Sequence, residues 1–163
     1  MIRVSKPPTN VVKLRPQDII YLCDRMRADE LEQLDAFFEL HSDRIPNFFL
    51  NKTGPQFTLV DAKGYPLVCG GWESVGDGIL QSWMVGTDEA WDKHWRSITK
   101  GCRWLMDELL DNGVRRLQTN ALASREAACR WYVEGLGMQP EGIWRKFGRQ
   151  GQDVACFARV KED

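Results

Sequence analysis

The side chains able to do chemistry are few and scattered. Two histidines, His41 and His94, and five cysteines, Cys23, Cys69, Cys102, Cys129 and Cys156, are the available soft ligands and nucleophiles. There is no CxxC, and neither histidine has ligand partners nearby, so no metal site is expected. The cysteines fall in apolar-patterned segments, where a reduced thiol packs as a small hydrophobe. No Ser/His/Asp or Cys/His arrangement points to a covalent nucleophile. His94 has a suitable pKa range but lies on a long helical stretch, and His41 closes a shorter one. For taking up a proton, the best-placed carboxylate is Glu73, at the end of a strand-like run. Seven tryptophans in 163 residues are the other conspicuous feature. That much rigid aromatic surface has to be buried in a core or in an interface.

A chain of this length makes one domain. Its composition, 43% apolar and 28% charged, is that of a folded globular protein. Basic and acidic residues number 22 and 23, giving a net charge of −1 with the signs interleaved. This argues against a nucleic-acid partner and against a basic membrane-binding patch. Residues 1–10 lack the apolar centre of a secretory signal, and no run reaches the roughly 18 apolar residues of a membrane span. A cytoplasmic protein is expected, with 1–10 a flexible lead and 11–163 a single domain.

The elements that must position these residues follow from periodicity. Val11 to Leu14 reads as a strand, and Pro16 opens a helix carrying Ile19, Leu22, Cys23 and Met26 at helical spacing. A second helix over about Asp29 to Leu40 has Leu31, Leu34, Phe37 and Phe38 along one side. Ser42 to Gln56, with two prolines, is a loop or broken helix. Phe57 to Val60 and Tyr65 to Trp72 flank the turn sequence Asp61 to Gly64. After a second turn over Glu73 to Gly78, Ile79 to Val85 completes a three-strand meander. Thr87 or Asp88 caps a long helix bearing Trp91, Trp95, Ile98, Cys102, Leu105 and Leu109, ended by Asn112 and Gly113. A strand over Arg116 to Ala121, a helix over Ser124 to Gly135 and a hairpin of Ile143 to Phe147 with Val154 to Val160 close the chain. The class is α/β (α+β): a mixed, mostly antiparallel sheet of about six to seven strands flanked by about four helices.

This order of elements, with the helix-and-glycine stretch Ser124 to Met138 (SREAACRWYVEGLGM), resembles the GNAT (GCN5-related N-acetyltransferase) family, although Met138 stands where Phe is usual. The segments Gly64 to Gly71 (GYPLVCGG) and Val85 to Trp91 (VGTDEAW) further resemble the small internal virion proteins of short-tailed coliphages and related phage GNAT-like proteins. The resemblance runs from Val12 to Val160.

In an active member, a glycine- and arginine-rich loop entering the long helix cradles the pyrophosphate of acetyl-CoA. The resemblance places that loop at Val85 to Trp95, with Met84, Val85, Gly86 and Lys93 as cofactor-binding residues. Only Gly86 is glycine there, while Asp88, Glu89 and Asp92 bring carboxylates that repel a phosphate and Trp91 adds bulk. The family's usual tyrosine acid falls on Val133, and its usual asparagine on Glu126. Tyr132 is one residue off, which on an α-helix turns a side chain by about 100°. The resemblance therefore implies a phage-encoded, virion-associated structural or accessory protein with a degenerate acetyl-CoA site and no cofactor. Its partners would be other virion proteins or a host protein, in the virion and host cytoplasm. The alternative is an active N-acetyltransferase using acetyl-CoA, with Glu73 and Tyr132 in proton transfer. Trp72, Trp83, Trp91 and Trp95 are expected in the core. Trp104, Trp131 and Trp144 are the candidates for an interface, rimmed by Arg145, Lys146 and Arg149.

Overall fold

Helix α1 (Pro16–Cys23) begins on a proline, whose ring presets φ and whose missing N–H would have had no helical acceptor. It buries Ile19 and Leu22, and Asp18 with them. The Asp18 carboxylate accepts from Arg15 at 2.9 Å and from the Thr58 hydroxyl at 3.1 Å, so the buried charge is compensated. The other helices are α2 (Ala28–Phe37), the short α3 (Ile45–Leu50), the long α4 (Asp88–Asp111) and α5 (Glu126–Arg130). Thr87 caps α4, its hydroxyl accepting from Ala90 N at 3.2 Å. Helix α5 continues into a π turn over Trp131–Gly135.

The strands are β1 (Val11–Lys13), β2 (Gln56–Val60), β3 (Pro66–Gly76), β4 (Ile79–Gly86), β5 (Arg116–Leu122), β6 (Gln139–Trp144) and β7 (Val154–Val160). They form one sheet in the order β1-β2-β3-β4-β5-β7-β6 in the computed structural model, which describes residues 6–163. Every pairing is antiparallel except β4 with β5. That parallel pair is short: Ile79 to Gln81 lie beside Arg116 to Gln118, and beyond them the strands separate. Helices α4 and α5 cover one face, with Ile98, Cys102, Met106, Leu117, Met138 and Phe157 in the main core. On the other face α1 and α3 bury Ile19, Leu22, Phe49, Cys69 and Val85.

The expected class and element order are those of the structure, with five α-helices in place of four because the Ser42 to Gln56 stretch contains α3. Strand β3 runs on to Gly76 through a stretch expected to turn, because Glu73 and Ser74 pair with Gln81 and Leu80, leaving only Asp77 and Gly78 to reverse the chain. Strand β6 lies earlier than expected. Pro140 and Gly142 read as breakers, but β6 is an edge strand with a register shift between them, where both residues are tolerated. On α2 the inward residues are Glu30, Gln33, Leu34 and Phe37, and Leu31 is exposed. Trp95 is 48% exposed, a correction to its place in the core, whereas Trp131 packs against Trp91 with ring centroids 4.7 Å apart. In β7 both faces are covered, so Ala155 and Phe157 are buried along with Val154 and Ala158. Of the lead expected over 1–10, residues 1–5 lie outside the described residues. Pro8 accepts from Val11 N, and Asn10 O accepts from Val60 N at 2.9 Å. Among the described residues no helix is long and apolar enough to cross a membrane.

Candidate functional site

Where β4 and β5 part, the sheet opens into a cavity of about 840 Å³ that reaches both of its faces. At the narrow end two side-chain bonds bridge the strands: Gln118 Nε2 to Gln81 Oε1 at 2.8 Å, and Ser82 Oγ to Thr119 Oγ1 at 2.6 Å. At the wide end α2 spans the gap. Glu30 Oε2 accepts from Gly86 N, the last residue of β4, at 3.2 Å, and Gln33 Oε1 accepts from Leu122 N, the last residue of β5, at 3.1 Å. The spacing of three puts both side chains on one face of α2, so a single helix supplies an acceptor to each separated strand. Arg125 fixes that face, donating to Asp29 at 2.8 Å and to Gln33 at 2.7 Å.

Tyr132 lies in the cavity wall with Thr119, its phenol enclosed. An α-helical Tyr132 was expected to be turned away; the π turn corrects that. Counted back from Gly137, Val133 is four residues distant and Tyr132 five. The turn is wider than an α-helix, with Leu136 N bonded to Trp131 O and Met138 N to Tyr132 O, and in it Tyr132 faces the cavity. Val133 is exposed instead. Tyr132 thus shares the cavity wall with the Ser82–Thr119 hydroxyl pair that joins β4 to β5. Burial raises the Tyr132 pKa, opposed by the Arg125 charge and the Thr119 hydroxyl, so the phenol holds its proton at neutral pH.

Glu73 lines the same cavity from the opposite face of the sheet, ion-paired to Lys52 at 3.0 Å. Around it stand aromatic rings: Phe38, Phe48 and Phe49, with Trp83 stacked on Phe49 at 5.3 Å and Lys52 over Phe48 at 4.4 Å. The indole nitrogens of Trp83 and Trp91 are buried in the cavity wall with no hydrogen-bond partner among the described residues. Buried N–H groups cost free energy when unpaired, so both point to a ligand that brings acceptors.

Of the expected cofactor residues, Met84 lines the cavity, and Val85 turns its side chain into the α1–α3 core. Gly86 has its N–H on Glu30. A Cβ built on Gly86 would lie 3.0 Å from Trp91 Nε1, so the indole fills the space beside it. Lys93 lies outside the cavity, exposed and paired with Glu89 at 3.0 Å. Arg27 holds Asp88 at 2.9 Å. A diphosphate does not fit this end: its amide, its space and the nearby cations are already taken. The thioester end of such a ligand does fit the open cleft, where hydroxyl and indole donors line the wall.

The residue the sequence did not disclose is Glu30. Its only signal was a polar residue in the inward position of a helix whose neighbours at three and four residues are Gln33 and Leu34. Burial pushes its carboxyl up to about 7, against the Gly86 N–H and the charges of Arg125 and Arg27, with Asp29 adding to the rise.

The comparisons with known proteins agree with this architecture. No family model matches the chain, and no curated protein matches it. Solved structures do. A GNAT-family acetyltransferase from Bacillus anthracis superposes with a TM-score of 0.74 at 13% identity, over 94% of this chain and 95% of that one. Spermidine N-acetyltransferase from Vibrio cholerae, solved with CoA and spermine, gives 0.74 at 11% identity, over 93% and 94%. The ribosomal-protein-S18-alanine N-acetyltransferase of Escherichia coli gives 0.68 at 20% identity, over 94% of each. The chain has the GNAT fold.

Glu30 makes the site pH-sensitive in a measurable way. A carboxyl raised from 4.5 to about 7 keeps its proton in the folded chain where the unfolded chain has lost it. Its contribution to stability is therefore full at low pH and falls as pH climbs from about 4.5 to about 7, by about 3 kcal/mol at roughly 1.36 kcal/mol per unit. Glu30→Gln keeps an acceptor for Gly86 N–H and has nothing to ionise. Urea denaturation at pH 4.5 and pH 8 should show the variant gaining about 3 kcal/mol on the parent between the two.

Proposed function

We propose that this chain is an N-acyltransferase that takes an acyl thioester in the β4–β5 cleft and passes the acyl group to an amine. The observation that carries this reading is the enclosed Tyr132 phenol in the cavity wall on the face of the bonded Ser82–Thr119 hydroxyl pair, with a carboxylate, Glu73, at the cavity's other face. Two of the neighbours named above are N-acetyltransferases, one of them solved with CoA and spermine. A ligand entering from the α4–α5 face meets Tyr132, and an amine entering from the α1–α3 face meets the aromatic rings and Glu73. Aromatic faces and a carboxylate both attract a cation. The amine nitrogen forms its bond to the acyl carbon as the carbon–sulfur bond breaks. Glu73 takes one ammonium proton to free the lone pair, the departing sulfur takes the proton held by Tyr132, and the second proton, shed by nitrogen as the amide forms, returns to Tyr132. Trp83 and Trp91 supply N–H donors for carbonyl oxygens in the cleft.

Acetylation of a panel of primary amines by S-acetyl thioesters, followed by mass spectrometry, tests the assignment. Tyr132→Phe, which removes one hydroxyl, should lower kcat about 100-fold with little change in KM. An unchanged kcat would remove Tyr132 from the chemistry, and absence of acetylation by the parent chain would remove the reading itself.

A second reading is a phage virion component working through protein contacts, and one observation favours it. Trp144 and Phe147 are 46% and 58% exposed with ring centroids 4.8 Å apart, beside exposed Ile143 and the basic Arg145 and Lys146. An apolar cluster with a basic rim suits another virion protein or a host protein. Mass spectrometry of purified particles should then find the chain at fixed copy number; its absence from particles would leave an acyltransferase in the host cytoplasm.

A further inference from the structure

The neighbourhood of Gly86 decides what kind of acyl donor the cleft can take. Four observations bear on the first turn of α4. The Gly86 N–H is bonded to the Glu30 carboxylate at 3.2 Å. The Trp91 indole fills the space where a group would lie against Gly86, with its nitrogen 3.0 Å from the position of an added Cβ. The Ala90 N–H is bonded to the Thr87 hydroxyl at 3.2 Å. Both guanidinium groups facing this end are committed, Arg27 to Asp88 at 2.9 Å and Asp29 at 3.6 Å, Arg125 to Asp29 at 2.8 Å and Gln33. Asp29 and Asp88 thus occupy both cations and Glu30 the Gly86 amide, so a ligand phosphate would find neither a free cation nor that amide at this end.

Deeper in the cleft the chemistry is different. There the wall offers neutral donors: the Trp83 indole N–H, which has no hydrogen-bond partner among the described residues, and the Tyr132 hydroxyl. Neutral N–H and O–H groups suit amide and thioester carbonyl oxygens, which are uncharged acceptors.

Resting on the acyltransferase reading above, we infer that the donor is recognised through its thioester and the amide-bearing arm behind it, and that its phosphates contribute nothing to binding. The donor class is a pantetheine-type acyl thioester whose phosphates, where it has them, stay in solvent. In this chain α2 takes the place of the anion: Glu30 lies on the amide that a phosphate-cradling loop would leave open.

Calorimetry of the full chain with acetyl-CoA, with S-acetylpantetheine, which has no phosphate, and with adenosine 3′,5′-bisphosphate separates the possibilities. The inference expects the two thioesters to bind with Kd values within about threefold of each other and the bisphosphate not to displace either. Acetyl-CoA binding 30-fold or more tighter than S-acetylpantetheine, or displacement by the bisphosphate, overturns the inference and leaves the acyltransferase reading standing. Failure of both thioesters to bind overturns the acyltransferase reading and this inference with it. Glu30→Ala frees the Gly86 N–H, and measuring both thioesters on the same variant cancels any general loss of stability. The ratio of the two affinities should move at least fivefold toward acetyl-CoA; an unchanged ratio shows that Glu30 is not what closes this end, and overturns the assignment.

Discussion

Strands β4 and β5 pair for only three residues each and then diverge, and the rest of the molecule is arranged around what that separation leaves behind. A sheet split in its middle exposes backbone donors that a regular ladder would satisfy, and buried donors left unpaired are costly. The chain answers with side chains. Gln81 and Gln118, then Ser82 and Thr119, tie the strands where they begin to part. Further on, Glu30 and Gln33 of α2 take one N–H from each strand end. Between these two sets of bonds the space is held open, and the groups that line it are those with chemical use. The cleft is therefore a consequence of strand geometry, and its polarity a consequence of how the separated strands are satisfied.

The same clamp links packing to electrostatics. Glu30 can reach Gly86 only because α2 is seated by Arg125, which bonds Asp29 and Gln33 from the start of α5. Placing a carboxylate there raises its pKa to about 7 and makes one end of the cleft unsuited to anions. The opposite face carries Glu73 with Lys52 among aromatic rings, a setting that suits a cation with an apolar body. Tyr132, enclosed and raised in pKa, sits in the cavity wall between the two.

Much of the architecture was legible in the sequence. The apolar spacing of α4, its Thr87 cap and the Asp61 to Gly64 turn are local signals, and each lies where the pattern put it. Glu73 was legible as a carboxylate on a meander strand, but its partner Lys52 was not, since the two are brought together by α3 and β3 packing rather than by spacing. Tyr132 was misjudged because helical periodicity assumes 3.6 residues per turn, and one π turn shifts every later side chain by a residue. Trp95 was placed in the core by its stripe, yet the buried stripe of α4 runs through Ala90, Ile98, Cys102, Met106 and Leu110, and Trp95 lies off it, exposed. Glu30 showed in sequence only as a polar residue at an inward helix position, because its role depends on a strand end 56 residues away.

The two indole N–H groups are the most direct reporters of whether the cleft is a ligand site. Nitrogen–proton correlation spectra resolve the tryptophan side chains individually, and single Trp→Phe variants assign them. On titration with S-acetylpantetheine, the Trp83 and Trp91 indole resonances should move downfield as each gains an acceptor, while exposed Trp144 stays in place. If Trp83 and Trp91 stay fixed at saturating thioester, or if Trp144 alone responds, the cleft between β4 and β5 is not where this chain binds its donor.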